Sequence, residues 1–560
     1  MKVLGVNALF HDPSAALVVD GRVVGAAEEE RFSRRKHGKR PVPFAAWELP
    51  EQAMRWCLAQ ADLDAEDLDA VVYAYDPALA EPIDALGLHD PWDGLRQTYA
   101  DHVPGFLATA LPGLDPAAVQ FVAHHVAHAA SAGLGLTDRD TDVLVLDGRG
   151  EATSHLAGRY EGGRLHALAG QRLPHSLGLL YEDLTEHLGF LRSSDEYKVM
   201  ALASYGTPRH ADALRERIHA DGAGGFVTEP VHWSALAKQR AAGEPWTRDH
   251  ADLAASAQRV LEDTLLDLAR WLHDQTGGER LALAGGVALN CVANTRLHAE
   301  TPYEAILPQP AAGDAGTALG AALTVAAGNG PTTPMPGADL GSRFDDQEIE
   351  AALRTAHWPV ERPADLASTV ADRLAAGGIV AWFQGASEFG PRALGHRSLL
   401  ADPRDPQNLD RLNAVKGRES FRPVAPMVLE EKAAAIFTRG PLPSPHMLFV
   451  HDVRPQWRDR IPAVVHVDGT ARVQTVDRAS EPRVAALLDA FEARTGVPVL
   501  VNTSLNTAGR PMVDSPRDAL ELFGSAPVEM LVMGPYVLTR PSADGRGADG
   551  RGADGRGAGA

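Results

Sequence analysis

The start of the chain alternates short apolar runs with polar turns. Residues 3–6 are apolar, a loop with His11 and Asp12 follows, and two further apolar runs flank an Asp-Gly turn at residues 20–21. Short apolar runs separated by turn residues are typical of antiparallel strands. The pattern therefore predicts a β-meander that opens a domain.

A second apolar run opens in the same way further along the chain. Residues 142–146 predict a buried strand, which ends at Asp147 and a glycine. Two such openings, each a strand followed by an acidic or polar loop, indicate an α/β protein with the duplicated actin-like ATPase architecture.

A glycine turn follows another short strand in the middle of the chain. Residues 281–284 are apolar and end at Gly285 and Gly286, with Asn290 just beyond. Such a turn between strand and helix brings backbone N–H groups close to a nucleotide. Many glycine pairs in α/β loops serve the turn alone, so both interpretations stay open.

Composition divides the chain into three parts. Residues 328–337 are rich in Gly, Pro and Thr, which is typical of a linker, and an apolar strand at 379–383 follows. Between residues 543 and 557 the sequence Ala-Asp-Gly-Arg-Gly occurs three times, and these small and charged residues bury too little surface to offset their ordering entropy. We therefore predict domains at 1–336 and 341–540 and a disordered tail at 541–560.

Composition also limits the class of protein. The 560 residues are 45% hydrophobic and carry a net charge of −21, which disfavours nucleic acid and anionic membranes as partners. Cys57 and Cys291 are the two cysteines, so a disulfide framework is excluded and a reducing cytoplasm is expected. The start of the chain does not read as a signal peptide, and no apolar run approaches the ~18 residues of a membrane span.

Two histidines and two aspartates predict a metal site. His124 and His128 share one face of a predicted helix, Asp147 ends a strand, and Asp314 precedes an Ala-rich helix predicted at 317–327. Two imidazoles with two carboxylates suit Fe, Zn or Mn better than Mg or Ca.

Cationic side chains concentrate in loops of the C-terminal half. Ser504 and Asn506, just after a strand predicted at 497–501, add neutral hydrogen-bonding groups. Such a cluster in an acidic protein is a plausible polyphosphate cleft, although surface arginines that balance 74 acidic residues would look the same. The cations are Arg392, His396, Arg397, Lys416, Arg418, Arg422 and Arg472.

Motifs along nearly the whole chain, up to about Arg540, resemble the O-carbamoyltransferases of the NodU/CmcH family, which include antibiotic-modifying enzymes. The resemblance is weaker at about 75–116 and 207–248. The matching segments are FHDPSAALVVDG from Phe10, AAEEERFSRRKHG from Ala26, HHVAHAASA from His124, VLDGRGE from Val145, EYKVMALASYG from Glu196, GGVALN from Gly285, FGPRALGHRSLL from Phe389, KGRESFRPVAP from Lys416 and LVNTSLNTAGRPMV from Leu500.

The resemblance implies a Kae1-like domain of the actin-like ATPase class fused to a YrdC-like α/β domain. It assigns the metal, with Fe²⁺ expected, to His124, His128, Asp147 and Asp314, and adenosine to Gly285, Gly286 and Asn290. It also places His11 and Lys36 near the transfer site. The residues that match the site for ATP and carbamoyl phosphate are Arg392, Lys416, Arg418, Arg422, Arg472, Ser504 and Asn506.

The implied chemistry is carbamoyl-adenylate formation with ATP and Mg²⁺, followed by transfer to a hydroxyl at the metal site. His11 is the candidate base for the acceptor proton, because an imidazole titrates near neutral pH. Alternatively, His11 only orients Asp12 or the phosphate.

Two rival functions share parts of this sequence pattern. A tRNA threonylcarbamoyl-transfer enzyme would have the same architecture, but the acidic balance and the lack of a basic extension argue against a tRNA acceptor. An actin-like nucleotide-dependent scaffold would need neither metal-binding histidines nor an arginine-rich second domain. The sequence therefore favours a cytoplasmic enzyme with a small hydroxylated acceptor, such as an antibiotic sugar or a polyketide, and leaves its oligomeric state open.

Overall fold

The computed structural model describes residues 1–37 and 48–540, so the tail predicted at 541–560 lies outside the described residues. The first part of the chain opens with the predicted meander. Its strands and helices are β1 (Lys2–Asn7), β2 (Ser14–Val19), β3 (Arg22–Glu28), α1 (Glu30–Ser33), α2 (Glu51–Ala59), β4 (Ala70–Tyr73), α3 (Asp93–Ala110) and β5 (Val119–Phe121).

The next part contains the second predicted opening and the long helix α8. Its elements are α4 (His124–Gly133), β6 (Thr141–Leu146), β7 (Thr153–Glu161), β8 (Arg164–Arg172), α5 (Leu177–His187), α6 (Glu196–Ala203), α7 (Ala211–Arg215), β9 (Ile218–Ala220), β10 (Phe226–Thr228), α8 (Arg248–Thr276), β11 (Arg280–Ala284), α9 (Cys291–Glu300), β12 (Ala305–Pro308) and α10 (Ala315–Asn329).

These two parts form sheets of the same topology. The first sheet has the order β3-β2-β1-β4-β5, and the second has the order β8-β7-β6-β11-β12. In each sheet the first two neighbouring pairs are antiparallel and the last two are parallel. The repeated topology confirms the duplicated actin-like fold.

Helices α4 and α10 pack closely between the two sheets. A Cβ atom at Gly320 would lie 1.7 Å from the carbonyl oxygen of Ala127, and one at Gly5 would lie 1.8 Å from that of Ala318. Only glycine allows these backbones to approach so closely. The packing holds the first residue of α4 and the residue before α10, which are His124 and Asp314, at the ends of the strands.

The C-terminal part is built on a mixed sheet of order β19-β15-β20-β14-β13-β21-β22, with a smaller sheet of order β16-β17-β18. This mixed α/β part agrees with the expected fold class. Its elements are α11 (Asp346–Ala356), α12 (Leu366–Ala375), β13 (Val380–Phe383), β14 (Arg397–Ala401), α13 (Gln407–Val415), β15 (Ala425–Leu429), α14 (Glu430–Ala433), β16 (Phe437–Thr438), β17 (His451–Val453), α15 (Pro455–Arg458), β18 (Thr470–Ala471), β19 (Gln474–Val476), α16 (Pro482–Thr495), β20 (Val499–Ser504), α17 (Pro516–Ser525), β21 (Met530–Met533) and β22 (Tyr536–Thr539).

The strand predicted at 497–501 continues further than its apolar run. Strand β20 extends through Asn502 and Thr503 to Ser504, which pairs with Ser398 of β14. Strand β14 pairs with all three of these polar residues, and β15 pairs with Asn502 as well, which holds Asn502 in the sheet despite its low strand propensity.

A short N-terminal stretch, residues 28–37, joins the two halves of the molecule; we call it the α1 segment. The Nη2 atom of Arg31 donates to the carbonyl of Gly390 at 2.8 Å, and the N–H of Gly390 donates to Glu28 at 2.8 Å. Arg34 donates to the carbonyl of Met512 at 2.7 Å. The α1 segment therefore holds loops of the C-terminal part directly.

No helix in residues 1–37 and 48–540 combines the length and apolar character that a transmembrane span requires.

Candidate metal and anion sites

The predicted metal residues converge at the carboxyl ends of the central strands. His124 and His128 lie one turn apart on α4, Asp147 follows β6, and Asp314 precedes α10. All four side chains are buried, and their candidate ligand atoms lie within 4.8 Å of one another. The packing of α4 against α10 thus assembles a quartet from three distant stretches of chain.

The spacing of the quartet suits a shared cation. The Nε2 atom of His124 lies 3.2 Å from Asp147 and 3.7 Å from Asp314, while that of His128 lies 3.8 and 3.5 Å from the same carboxylates. Ligands bonded to one transition metal at ~2.1 Å stand roughly 3.0–3.4 Å apart. Within the described parts of the chain, neither ring nitrogen of the buried His128 has a hydrogen-bond partner. The residues therefore fit a divalent transition metal.

Neighbouring groups fix the orientation of these side chains. The N–H of Gly286 donates to Asp147 Oδ1 at 3.1 Å, and the N–H of His11 donates to Asp314 Oδ2 at 3.1 Å. The Nδ1 atom of His124 lies 3.3 Å from the carbonyl of Ala74. Such outer contacts leave the other oxygen of each carboxylate and Nε2 of His124 directed at a common point.

The charges in the quartet are strongly coupled. Burial disfavours protonated His124, but its hydrogen bond to Asp147 and the nearby charge of Asp314 raise its pKa to about 9. Burial likewise opposes the charge of Asp147, yet the surrounding histidines hold its pKa below the ordinary range. A bound cation would replace the proton on His124 as the partner of the two carboxylates.

His125 lies beside the quartet as well. Its Nε2 atom is 3.9 Å from Asp147, and its Nδ1 atom is 2.8 Å from the hydroxyl of Thr153. Burial and the neighbouring His124 hold the pKa of His125 well below its ordinary value, so this imidazole is neutral. Helical spacing directs His125 away from the face of His124 and His128, so its position beside the quartet was not predicted.

A second polar cluster adjoins the quartet. The side chains of His11 and His37 each lie against one oxygen of Asp12, at 2.8 and 2.9 Å. His37 also contacts the hydroxyl of Ser194 at 2.8 Å. The sequence analysis had singled out His11 and Asp12, but it missed His37 and Ser194, which no sequence spacing connects.

Lys36, in the α1 segment, interacts electrostatically with the C-terminal cations. Its positive charge contributes to lowering the pKa of Lys416, after burial and the charges of Arg418 and Arg422. The structure thus places Lys36 within electrostatic range of the C-terminal cations.

The predicted nucleotide loop has a well-defined structural role. Gly285 adopts φ 86°, and a Cβ there would meet the carbonyl oxygen of Leu146 at 2.1 Å, so glycine is required. The side chain of Asn290 caps α9 by accepting from the N–H of Ala293 and pairs with Gln258 at 2.9–3.0 Å.

Five of the predicted C-terminal cations come together in a partly buried group that we call the cationic cluster, namely Arg392, Lys416, Arg418, Arg422 and Arg472. The other two do not join it, because His396 pairs with Glu481 at 3.0 Å and the buried Arg397 donates to the backbone carbonyls of Gln384 and Ser342. Burial and the neighbouring charges lower the pKa values of Arg392 and Arg418 to about 9, and lower that of Lys416 well below its ordinary range. Among the described residues, the Nε atoms of Arg392 and Arg472 have no hydrogen-bond partner. Crowded cations with free donors suit a polyanion.

The neutral residues predicted for this cluster lie beside Lys416. Its Nζ atom donates to the hydroxyl of Ser504 at 3.0 Å and to the side-chain oxygen of Asn506. Asn413, which the sequence analysis did not identify, accepts from Arg418 at 2.5 Å.

The N-terminal half contributes to the cationic cluster through α6. The guanidinium of Arg422 lies 4.5 Å from the ring centre of Tyr197. Glu419 approaches Arg422 at 3.7 Å but also pairs with Lys198 at 2.8 Å. The sequence did not predict roles for Tyr197 and Glu419, because these roles depend on contacts between distant elements.

Comparison with known proteins places the chain in one family. Residues 2–323 match the family model for the carbamoyltransferase N-terminus, and residues 371–540 match that for the carbamoyltransferase C-terminus. Nodulation protein NolNO of Sinorhizobium fredii is 39% identical over 96% of this chain and 80% of its own length. The uncharacterized protein sll1178 of Synechocystis is 38% identical over 96% of both chains.

A solved structure gives a more distant likeness. HypF of T. kodakarensis is similar over 59% of this chain and 48% of its own, at 15% identity and a TM-score of 0.34. The two family models together match most of the chain, and NolNO is similar along nearly all of it. The chain therefore belongs to the carbamoyltransferase family.

Proposed function

We propose that this carbamoyltransferase uses ATP and carbamoyl phosphate to carbamoylate a hydroxyl group of a small molecule. One observation carries the proposal, namely that a buried metal-type quartet and a separate cationic cluster occur in the same chain. A simple one-step transferase would need only one such site. Two sites suit an activation step followed by a transfer step.

The cationic cluster would perform the activation. Carbamoyl phosphate, water and ATP would yield carbamoyl-adenylate, phosphate and pyrophosphate, with Mg²⁺ accompanying the nucleotide. Arg392, Arg418, Arg422 and Arg472 would bind the phosphate oxygens. Lys416, held by Ser504 and Asn506, would supply a further positive charge once a bound polyanion offsets the burial and the neighbouring cations that lower its pKa. An alcohol reacts poorly with an unactivated carbamoyl group, which explains why activation comes first.

The quartet would serve the transfer step. His124, His128, Asp147 and Asp314 would hold a transition metal, with Fe²⁺ our preferred candidate, and such an ion supplies Lewis acidity toward a phosphate or carbonyl oxygen. The backbone around Gly285 and Gly286 would bind the adenylate part, and Asn290 would keep α9 in place beside it. We assign transfer to residues 1–336 and activation to residues 341–540.

The acceptor would be a small hydroxylated compound, such as an antibiotic sugar or a polyketide. The net charge of −21 gives no support to a nucleic-acid acceptor.

The direct test is a screen of hydroxylated antibiotics and sugars with the full-length protein, carbamoyl phosphate and ATP. The expected product gains the mass of one carbamoyl group and forms only when both co-substrates are present. Product formation without ATP would contradict the activation step. A shift of tRNA on a native gel would favour the threonylcarbamoyl-transfer alternative instead.

A further inference from the structure

Ser194, His37 and Asp12 form a hydrogen-bonded chain beside the metal quartet. The hydroxyl of Ser194 lies 2.8 Å from Nε2 of His37, and Nδ1 of the same ring lies 2.9 Å from Asp12 Oδ1. Both nitrogens of one imidazole are therefore engaged, one by a hydroxyl and one by a carboxylate. This order of groups allows a hydroxyl proton to move to a histidine that a carboxylate holds in place.

The backbone holds these residues in uncommon conformations. Asp12 has φ 42° and His37 has φ 63°, and both values lie in the left-handed region that residues other than glycine rarely adopt. The N–H of His37 also donates to Glu30 at 2.7 Å. Such conformations persist where the surrounding contacts impose them, and they concentrate at functional sites.

The hydrogen bonds from Ser194 through His37 and Asp12 continue toward the metal quartet. The other oxygen of Asp12 contacts His11 at 2.8 Å, and the N–H of His11 donates to Asp314 at 3.1 Å. The rings of His11 and His37 lie 4.5 Å apart between centres. The hydroxyl of Ser194 is thus connected to the quartet through the side chains of His37, Asp12 and His11, and the last link is the backbone N–H of His11.

We propose that Ser194, His37 and Asp12 relay the proton that the acceptor hydroxyl loses during transfer; the proposal rests on the function proposed above. The acceptor oxygen forms a bond to the carbamoyl carbon, and the bond from that carbon to the adenylate oxygen breaks, so AMP leaves with the electron pair. The acceptor proton passes to Ser194 as the Ser194 proton moves to Nε2 of His37. Asp12 stabilises the resulting imidazolium.

Two members of the relay, Asp12 and His37, are together with His11 close enough to hold a cation. Each oxygen of Asp12 already has an imidazole nitrogen at hydrogen-bond distance, however. A cation would have to displace both contacts. The two imidazoles also hold the pKa of Asp12 well below its ordinary value, although burial opposes that charge, so the carboxylate is ready to stabilise a protonated ring.

The test compares two nucleophiles in the metal-loaded, full-length enzyme. Glycerol at high concentration serves as an alcohol that must lose a proton, and hydroxylamine serves as a stronger nucleophile that needs less help. His37→Gly suits the left-handed backbone and leaves space for added imidazole. We expect glycerol carbamoylation to fall by about 100-fold, hydroxyurea formation to change by no more than a few-fold, and imidazole to restore the glycerol reaction.

Two further variants sharpen the comparison. Asp12→Asn, which tolerates the left-handed conformation, and Ser194→Ala should show the same selective loss. The matched control is Ser193→Ala, because the neighbouring Ser193 hydroxyl faces Glu182 instead of His37. It should carbamoylate glycerol at the wild-type rate.

Distinct outcomes would overturn the relay. The relay would be contradicted if both reactions fell equally or if imidazole did not restore the glycerol reaction. It would also be contradicted by a carbamoyl group trapped on Ser194, or by a second metal ion per chain that His37→Gly releases. Pyrophosphate release checks folding and activation in every variant. If the wild-type protein releases no pyrophosphate and carbamoylates neither probe, the proposed function fails, which is a different result from the loss of the relay alone.

Discussion

At the residue scale, the quartet provides the sharpest prediction about the metal. His128→Ala and His124→Ala should lower metal affinity by more than about 100-fold, because each removes a buried imidazole from the shared position. Carbamoyl transfer should disappear while pyrophosphate release from ATP and carbamoyl phosphate persists. Elemental analysis per chain and the two assays check both expectations.

The neighbouring His125 supplies a matched control for the metal prediction. His125→Gln changes a buried imidazole on the same helix that lies 3.9 Å from Asp147 and contacts Thr153. This variant should keep its metal. Equal metal loss in all three variants would mean that the helix, instead of the quartet, had been disturbed.

A second residue-scale prediction concerns the cationic cluster. Arg392→Ala and Lys416→Ala should each abolish pyrophosphate release, since each removes a partly buried charge from a polyanion site. Supplied carbamoyl-adenylate should restore transfer by both variants. Arg478→Ala, which removes an exposed arginine paired with Glu431, should behave as the wild type. Failure of carbamoyl-adenylate to restore transfer would contradict two sequential steps.

Sequence alone identified the quartet because its signals are local. Helical spacing relates His124 to His128, and Asp147 directly follows an apolar strand. His37 and Ser194 carried no such signal, because 157 positions separate them and a turn with positive φ brings His37 into place. Chemistry that depends on long-range contacts is not visible in spacing.

At the element scale, the α1 segment predicts a dependence of stability on pH. Burial raises the pKa of Glu28 to about 7 from an ordinary 4.5, against the opposing charge of Arg31. A pKa raised on folding means that the stabilisation is complete below about pH 4.5 and is lost as the pH rises through about 7. Glu28→Gln mimics the protonated group at every pH. Between about pH 4.5 and 7, the free energy of unfolding of this variant should therefore rise by roughly 3 kcal/mol relative to that of the wild type.

Denaturant unfolding at several pH values measures this difference in free energy. Glu51→Gln provides the control, because it makes the same chemical change at an exposed position paired with Arg55. Parallel profiles for the wild type and Glu28→Gln would show that Glu28 does not change its protonation on folding.

Apolar runs located the elements well, and their errors have a physical cause. Strands β6, β11 and β13 lie where the sequence predicted them. Strand β20 extends through polar residues because β14 pairs with it as far as Ser504, whereas β15 pairs with it only as far as Asn502. Pairing partners outweigh local propensity, and a single segment does not reveal its partners.

At the scale of the whole molecule, two truncations at the end of the chain should differ in their effect on stability. A chain that ends after Arg540 should match the full protein in turnover and thermal midpoint, because the Ala-Asp-Gly-Arg-Gly repeats offer little surface for packing. A chain that ends after Gly534 also loses β22, whose Tyr536, Val537 and Leu538 are buried. The loss of β22 should lower the free energy of unfolding by about 1.5–3 kcal/mol for each buried side chain.

Melting curves of the two truncated chains separate these cases. A large drop in the thermal midpoint of the chain ending after Arg540 would show that the repeats contact the folded protein. Equal midpoints for the two truncations would mean that β22 adds little to the C-terminal sheet.

The two halves differ in how far sequence could predict their arrangement. The repeated strand and polar loop at the start of each N-terminal sheet suggested the duplication that the matching sheet orders confirm. No repeat guides the C-terminal sheet, in which β13 lies between β14 and β21, more than a hundred positions apart in the chain. Its order follows from packing across the whole domain.

The α1 segment has a consequence for exchanging parts between related enzymes. By position it belongs to the N-terminal sheet, yet Glu28 and Arg31 hold Gly390, and Arg34 holds Met512 and Asp518. A hybrid that joins the C-terminal half of one relative to the N-terminal half of another would therefore separate this stretch from the loops it fits. Transplanting residues 28–37 together with the C-terminal half would keep that fit, so the functional module is not a continuous length of chain.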